Sequence, residues 1–139
     1  MVGIVIVAHT PVASAMLNFA EHTFGVLPER IQAVDIPPHE DTKASFDRVV
    51  KAAYGVNTGK GVLILTDVMG ATPANVATKL EALGPLSGLD SPVIVLTGLN
   101  LPMLMRCISH RDESLEELSY KALQGGQNGI LRLGAKAHQ

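Results

Sequence analysis

Two residues end matching apolar runs and carry side chains able to act together. The first run is Gly3-Ile4-Val5-Ile6-Val7-Ala8-His9, followed by Thr10-Pro11. The second is Gly61-Val62-Leu63-Ile64-Leu65-Thr66-Asp67, which passes through Val68-Met69-Gly70-Ala71 to Thr72-Pro73. An Asp carboxylate that accepts a hydrogen bond from His Nδ1 fixes the imidazole tautomer and leaves Nε2 as a nucleophile. That pairing suits transfer of a phosphoryl group onto His9, with Asp67 as its orienting partner. Taken singly, each residue has a plainer reading. His9 could fill a turn with its ring satisfied by backbone, and Asp67 could cap the next helix. Their matching places at two strand ends favour chemistry.

Other residues are candidates to surround that pair. Thr10 reads as a helix N-cap with Pro11 at the first helical position, so His9 would face a helix N-terminus, where anions and phosphates are held. Thr72 reads as the N-cap of a later helix and could give its hydroxyl to a phosphoryl oxygen. Gly70 and Ala71 could add backbone N–H groups as a small anion nest. Met69 lies in the same loop and is a candidate partner contact. A third, looser run, Pro92 to Gly98, leads to Asn100-Leu101-Pro102. Asn100 reads first as a helix cap and second as a contact at the site.

The remaining chemistry-bearing residues point elsewhere. His39, in Pro37-Pro38-His39-Glu40, reads as a loop residue, and His22 and His110 fall late in helices, where a cation suits the dipole. The histidine spacing offers no metal site. There is no dinucleotide fingerprint, no phosphate-binding loop of the Gly-Lys-Ser/Thr type, and no Gly-x-Ser-x-Gly for a serine hydrolase. The single cysteine, Cys107, excludes an internal disulfide, favours a reducing compartment and reads as core.

The elements that must position the pair follow from the hydrophobic pattern. The apolar runs at 3–9, 61–66 and 93–97 read as strands buried on both faces, and 31–36 as a second strand in chain order. Helices are expected from Val12 to a stop at Gly25, across 46–54 with Gly55 as the stop, and from Thr72 to Gly84-Pro85. Two more are expected from Asn100 to His110, with Leu101, Leu104, Met105 and Ile108 inward, and after the Ser114-x-x-Glu117 capping box, with Leu115, Leu118 and Leu123 inward and Gly125-Gly126 as the stop. Residues 129–133 could form a short last strand, and 134–139 a frayed tail. Strands alternating with helices give an α/β fold, a mainly parallel open sheet with helices on both faces. With 139 residues and 47% apolar content the chain fits one domain with a sizeable core. A net charge of −2 gives no reason to bind nucleic acid. No basic leader opens the sequence and no apolar run spans a bilayer, so a cytoplasmic protein is expected.

Together Gly3 to His9, Gly61 to Asp67, Gly70-Ala71-Thr72-Pro73-Ala74-Asn75 and Gly98 to Met103 resemble the IIA component of the mannose family of the phosphoenolpyruvate-dependent sugar phosphotransferase system. The resemblance runs along essentially the whole chain. It implies a phosphohistidine carrier without a cofactor. His9 would accept a phosphoryl group from the histidine-containing phosphocarrier protein and pass it to a separate IIB component during sugar uptake. It further implies a homodimer in which a short C-terminal edge strand, here 129–133, is exchanged between subunits, and contact with the membrane only through the transporter complex. In the family the loop after the Asp carries two glycines and a serine; here these are Gly70, Ala71 and Thr72. Two alternatives stay open: a regulatory phosphoprotein that serves no sugar, and the phosphocarrier subunit of a dihydroxyacetone kinase system.

Overall fold

The computed structural model describes residues 1–134, and most of the expected tail lies outside them. Four strands, β1 (Gly3–His9), β2 (Ile31–Ile36), β3 (Val62–Thr66) and β4 (Val93–Leu96), alternate with α1 (Val12–Phe24), α2 (Thr42–Val56), α3 (Thr72–Leu83), α4 (Leu101–Ser109) and α5 (Leu115–Asn128). A single 3-10 turn, Gly84–Ser87, follows α3. The sheet has the order β2-β1-β3-β4, and every pairing is parallel.

Strand alternation sorts the core into two layers. Ile4, Ile6 and Ala8 of β1 join Leu63 and Leu65 of β3 under α1, α4 and α5. Val5, Val7, Val62 and Ile64 face α2 and α3 instead. This explains why β1 and β3 read as unbroken apolar runs: both of their faces are covered. The topology then fixes where a ligand can reach the sheet. From β1 the chain turns outward through α1 to β2; from β3 it turns the other way through α3 to β4. The loops leaving β1 and β3 therefore part over opposite faces, and a crevice opens between their carboxyl ends.

Several local expectations are corrected. Thr10 is not the cap of α1: the helix starts at Val12 after Pro11, the Thr10–Pro11 peptide bond is cis, and no side chain of the cap residue bonds to the first turn. Instead the carboxylate of Asp35 on β2 accepts the Ser14 amide at 3.1 Å. Thr72 is the first residue of α3 and not its N-cap, a position held by Ala71. Helix α2 runs through Gly55 to Val56, and α5 runs through Gly125 and Gly126 to Asn128. These glycines thin the helices for close neighbours. A Cβ on Gly125 would lie 2.8 Å from Cβ of Arg106, and one on Gly126 would lie 3.1 Å from Cε of Met103. The inward face of α4 is Met103, Leu104 and Cys107, while Met105 is exposed; on α5, Ala122 is buried and Leu123 is exposed. Residues 130–133 form no strand, and Ile130, Leu131 and Leu133 lie exposed.

Candidate functional site

His9 and Asp67 meet at the crevice between β1 and β3. His9 is the last residue of β1 and the only one of the strand that is exposed. Asp67 follows directly on β3, and the amide of His9 donates to its Oδ2 at 3.0 Å. The His9 ring closes on the same carboxylate, with Nδ1 2.7 Å from Oδ2. The other carboxylate oxygen, Oδ1, accepts the Val68 amide at 2.9 Å. Three hydrogen bonds thus hold Asp67 in place, and Asp67 holds the imidazole. The side chain of Asp67 is 13% exposed and that of His9 51%, so the carboxylate is sheltered while the ring stands open. Burial pushes the Asp67 carboxyl upward. The His9 amide, the His9 ring and the Val68 amide outweigh that effect, and it titrates below its ordinary value. A carboxylate ionised across the neutral range must accept from Nδ1–H, so in the neutral imidazole Nε2 is the nitrogen with the free electron pair.

The loop after β3 supplies the surroundings. Gly70 takes the positive φ of 83° that this turn requires, and Ala71 is extended, so an alanine fits there without strain. The first turn of α3 then opens on Thr72 with no side-chain cap. The amides of Thr72 and Ala74 belong to that uncapped first turn, Pro73 between them has none to offer, and the Asn75 amide bonds back to Ala71 O. At α1, by contrast, Asp35 already fills the third amide. The helix end suited to an anion beside His9 is therefore that of α3, not that of α1. Met69 and Val68 stand on this loop 80% and 57% exposed, an apolar rim beside the ring.

Asn100 stays apart from the pair in its bonding. Its Oδ1 accepts the Met103 amide at 2.9 Å and its Nδ2 donates to Gly126 O at 3.0 Å, so it caps α4 and ties α4 to the end of α5. The loop it begins from still braces the site, because Gly98 N donates to Asp67 O and Leu99 N to Thr66 O. Cys107 is fully buried, and burial pushes its thiol up to about 12, which makes it chemically inert. Among the described residues no group of three His, Cys, Asp or Glu side chains is placed to hold a metal ion. No helix among them is long and apolar enough to cross a membrane. The residue that sequence reasoning missed is Asp35: it caps from a neighbouring strand, 21 positions from Ser14, where no local motif could signal it.

A half-exposed imidazole braced by a carboxylate at the switch point of an open parallel sheet defines the class: an open α/β protein whose candidate site is a histidine–aspartate pair. Residues 3–124 match the family model EIIA-man, described as the PTS system fructose IIA component, and the chain belongs to that family. It is 30% identical over 138 residues to the PTS system mannose-specific EIIAB component of Escherichia coli K12, covering 97% of this chain and 40% of that protein. The chain thus spans less than half the length of that relative. Among solved structures it is similar to phosphotransferase system component EIIA from Streptococcus agalactiae (TM-score 0.82, 28% identity, 95% of this chain and 97% of that one). It is also similar to the PTS IIA protein associated with the fucose utilization operon of Streptococcus pneumoniae (TM-score 0.71, 30% identity, 94% and 92% covered). The mannose/sorbose specific IIA subunit from Enterococcus faecalis, at 19% identity and TM-score 0.81 over 99% of this chain and 98% of that one, shares the fold. The family match and these likenesses place the chain among the IIA components of the phosphotransferase system.

Proposed function

We propose that Nε2 of His9 is the atom that carries the phosphoryl group. The donor is the phosphohistidine of the histidine-containing phosphocarrier protein, and the acceptor is a separate IIB component. The observation that carries this reading is the 2.7 Å contact between His9 Nδ1 and Asp67 on a half-exposed ring. In the forward step the Nε2 electron pair attacks phosphorus in line. The bond from phosphorus to the donor nitrogen breaks, and that nitrogen keeps the electron pair. The Nδ1 proton stays between His9 and Asp67, and the carboxylate stabilises the positive charge that forms on the ring. Little else is needed, since such transfers rest on positioning and charge stabilisation. The amides of Gly70, Ala71, Thr72 and Ala74 and the hydroxyls of Thr72 and Thr10 supply donors for the phosphoryl oxygens. The exposed Met69 and Val68 give the partner an apolar seat. The protein works in the cytoplasm, without a cofactor, and meets the membrane only through the transporter.

The test is intact-mass measurement after incubation with phosphoenolpyruvate, the first enzyme of the system and the phosphocarrier. The expected result is a gain of one phosphoryl group, labile in acid, that is absent in His9→Ala. An undiminished gain in His9→Ala would refute the assignment. Carriage on to a IIB component and a sugar, rather than a purely regulatory phosphorylation, is read from loss of the label when IIB is added.

A second part of the proposal concerns assembly. β4 ends the sheet, and its outer edge borders a cleft of about 720 Å³ lined by Glu81, Val93, Ile94 and Leu115 among others. Residues 130–133 carry Ile130, Leu131 and Leu133, each more than 60% exposed. An unpaired edge and an unplaced apolar segment in one chain fit a homodimer in which each segment pairs with the partner's sheet.

A further inference from the structure

The sheet edge that carries His9 holds a second histidine, His39, that the phosphoryl transfer itself leaves unused. The chain leaves β2 at Ile36, the register partner of His9, whose carbonyl accepts the Thr10 amide at 3.2 Å. It then turns through Pro37, Pro38, His39 and Glu40, closed by a bond from Glu40 N to Pro37 O at 3.4 Å. His39 therefore lies within about 10 Å of chain beyond Ile36, on the same edge of the sheet as the phosphoryl site. It is the third residue of that turn, with a φ of 68°, a conformation for which glycine is the ordinary occupant. Among the described residues only Arg30 and His39 hold a positive φ without being glycine.

The turn is fastened on both sides of this residue. Pro37 and Pro38 restrict the backbone before it. After it, the Glu40 carboxylate accepts from Oγ of the buried Ser45 at 2.6 Å and from Nη1 of Arg48 at 2.9 Å, and Asp41 caps α2 by accepting the Ala44 amide at 3.2 Å. The imidazole itself is exposed and takes part in no hydrogen bond among the described residues. Neither packing nor internal bonding offsets the unfavourable backbone at this position. A strained residue held by its neighbours, with its side chain free, is a pattern found at functional sites.

We propose that His39 is a specificity-determining residue of the transfer surface: it hydrogen-bonds the phosphocarrier where that protein docks over His9. This rests on the phosphohistidine reading above. It assigns His39 to recognition of the partner and not to the chemical step, because its backbone lies one turn away from the phosphoryl site. Two variants test it. His39→Gly suits the left-handed backbone and removes the ring; His39→Asn suits the same backbone and keeps a donor. Rates of His9 phosphorylation are measured against phosphocarrier concentration, with melting temperature alongside. His39→Gly is expected to raise KM roughly three- to tenfold, the worth of one hydrogen bond, with kcat and the single acid-labile phosphoryl group unchanged and the melting temperature equal or higher. His39→Asn should recover part of the loss. Parental KM in His39→Gly, or a fall in kcat together with a lower melting temperature, would overturn the proposal. If the parent protein gains no phosphoryl group, the underlying reading fails and this one falls with it.

Discussion

At the scale of single residues, the site depends on how one carboxylate divides its two oxygens. Oδ2 of Asp67 takes both the backbone and the ring of His9, and Oδ1 takes the Val68 amide. Asp67→Asn keeps one acceptor oxygen, enough for His9 or for the Val68 amide but not for both, and removes the charge. The fold should survive, and transfer to His9 should slow by about 10- to 100-fold, the worth of a charge-assisted hydrogen bond lost in the transition state. Stopped-time phosphorylation assays at matched phosphocarrier concentration read this directly; an unchanged rate would mean that the carboxylate only shapes the turn. The same group makes stability depend on pH. Its carboxyl titrates below the ordinary value when folded, so its contribution is complete above about pH 4 and is lost as the pH falls through the folded value. Urea unfolding of the parent and of Asp67→Asn should therefore differ at pH 7 and converge in acid. The pair was legible in the sequence because both residues close apolar runs that must be adjacent strands. Asp35 was not, because its partner, Ser14, lies on another element.

At the scale of elements, the ends of α1 and α3 at Gly25 and Gly84 were easier to read than the start of α2, which lies at Thr42 and not near Phe46 because Asp41 caps it. The beginning of α3 near Thr72-Pro73 and its end at Gly84 lie where local residue preferences put them. The end of α5 does not. Gly125 and Gly126 look like a stop, yet the helix continues to Asn128; the glycines stand where α4 packs closely, a Cβ on Gly125 meeting Cβ of Arg106 at 2.8 Å and one on Gly126 meeting Cε of Met103 at 3.1 Å. A glycine chosen by a neighbour cannot be told, in a single sequence, from one chosen by its own backbone. The prediction that separates the two is Gly125→Ala. A stop glycine gains little or loses little from alanine; a spacer glycine forces Arg106 aside, at a cost of about 1–3 kcal/mol of stability in denaturant titration. Asp35→Ala belongs at this scale too. Removing a carboxylate that caps α1 should lower stability by about 0.5–2 kcal/mol, while His9 should remain competent to take a phosphoryl group, because the proposed anion site lies at the α3 end.

At the scale of the whole molecule, the sheet has two edges, β2 and β4, that the described residues leave unpaired, and one apolar segment that they leave uncovered. β2 is the edge on the far side from β4, and of the two it is β4 that carries half-buried residues, at Val93, Ile94 and Val95, beside the cleft. The sequence reading expected a strand at 129–133. Within one chain that strand is absent, and the physical reason is that a short segment with its apolar side chains exposed gains too little from pairing with nothing beneath it. Supplied to a second subunit, the same residues would find both an edge and a cleft. Arg132 adds a charge beside Leu131 and Leu133, so the segment is not a uniform greasy tail that would bind at random. The expected outcome is a dimer in sedimentation equilibrium at micromolar concentration. The double substitution Leu131→Asp with Leu133→Asp should convert it to monomer, since it would place two carboxylates against the apolar side of the β4 edge. The site lies at the carboxyl end of the sheet, away from the cleft lined by Met1, Lys60 and Pro92, so the monomeric variant should still take one phosphoryl group on His9. A variant that stays dimeric would show that the subunits meet through another face.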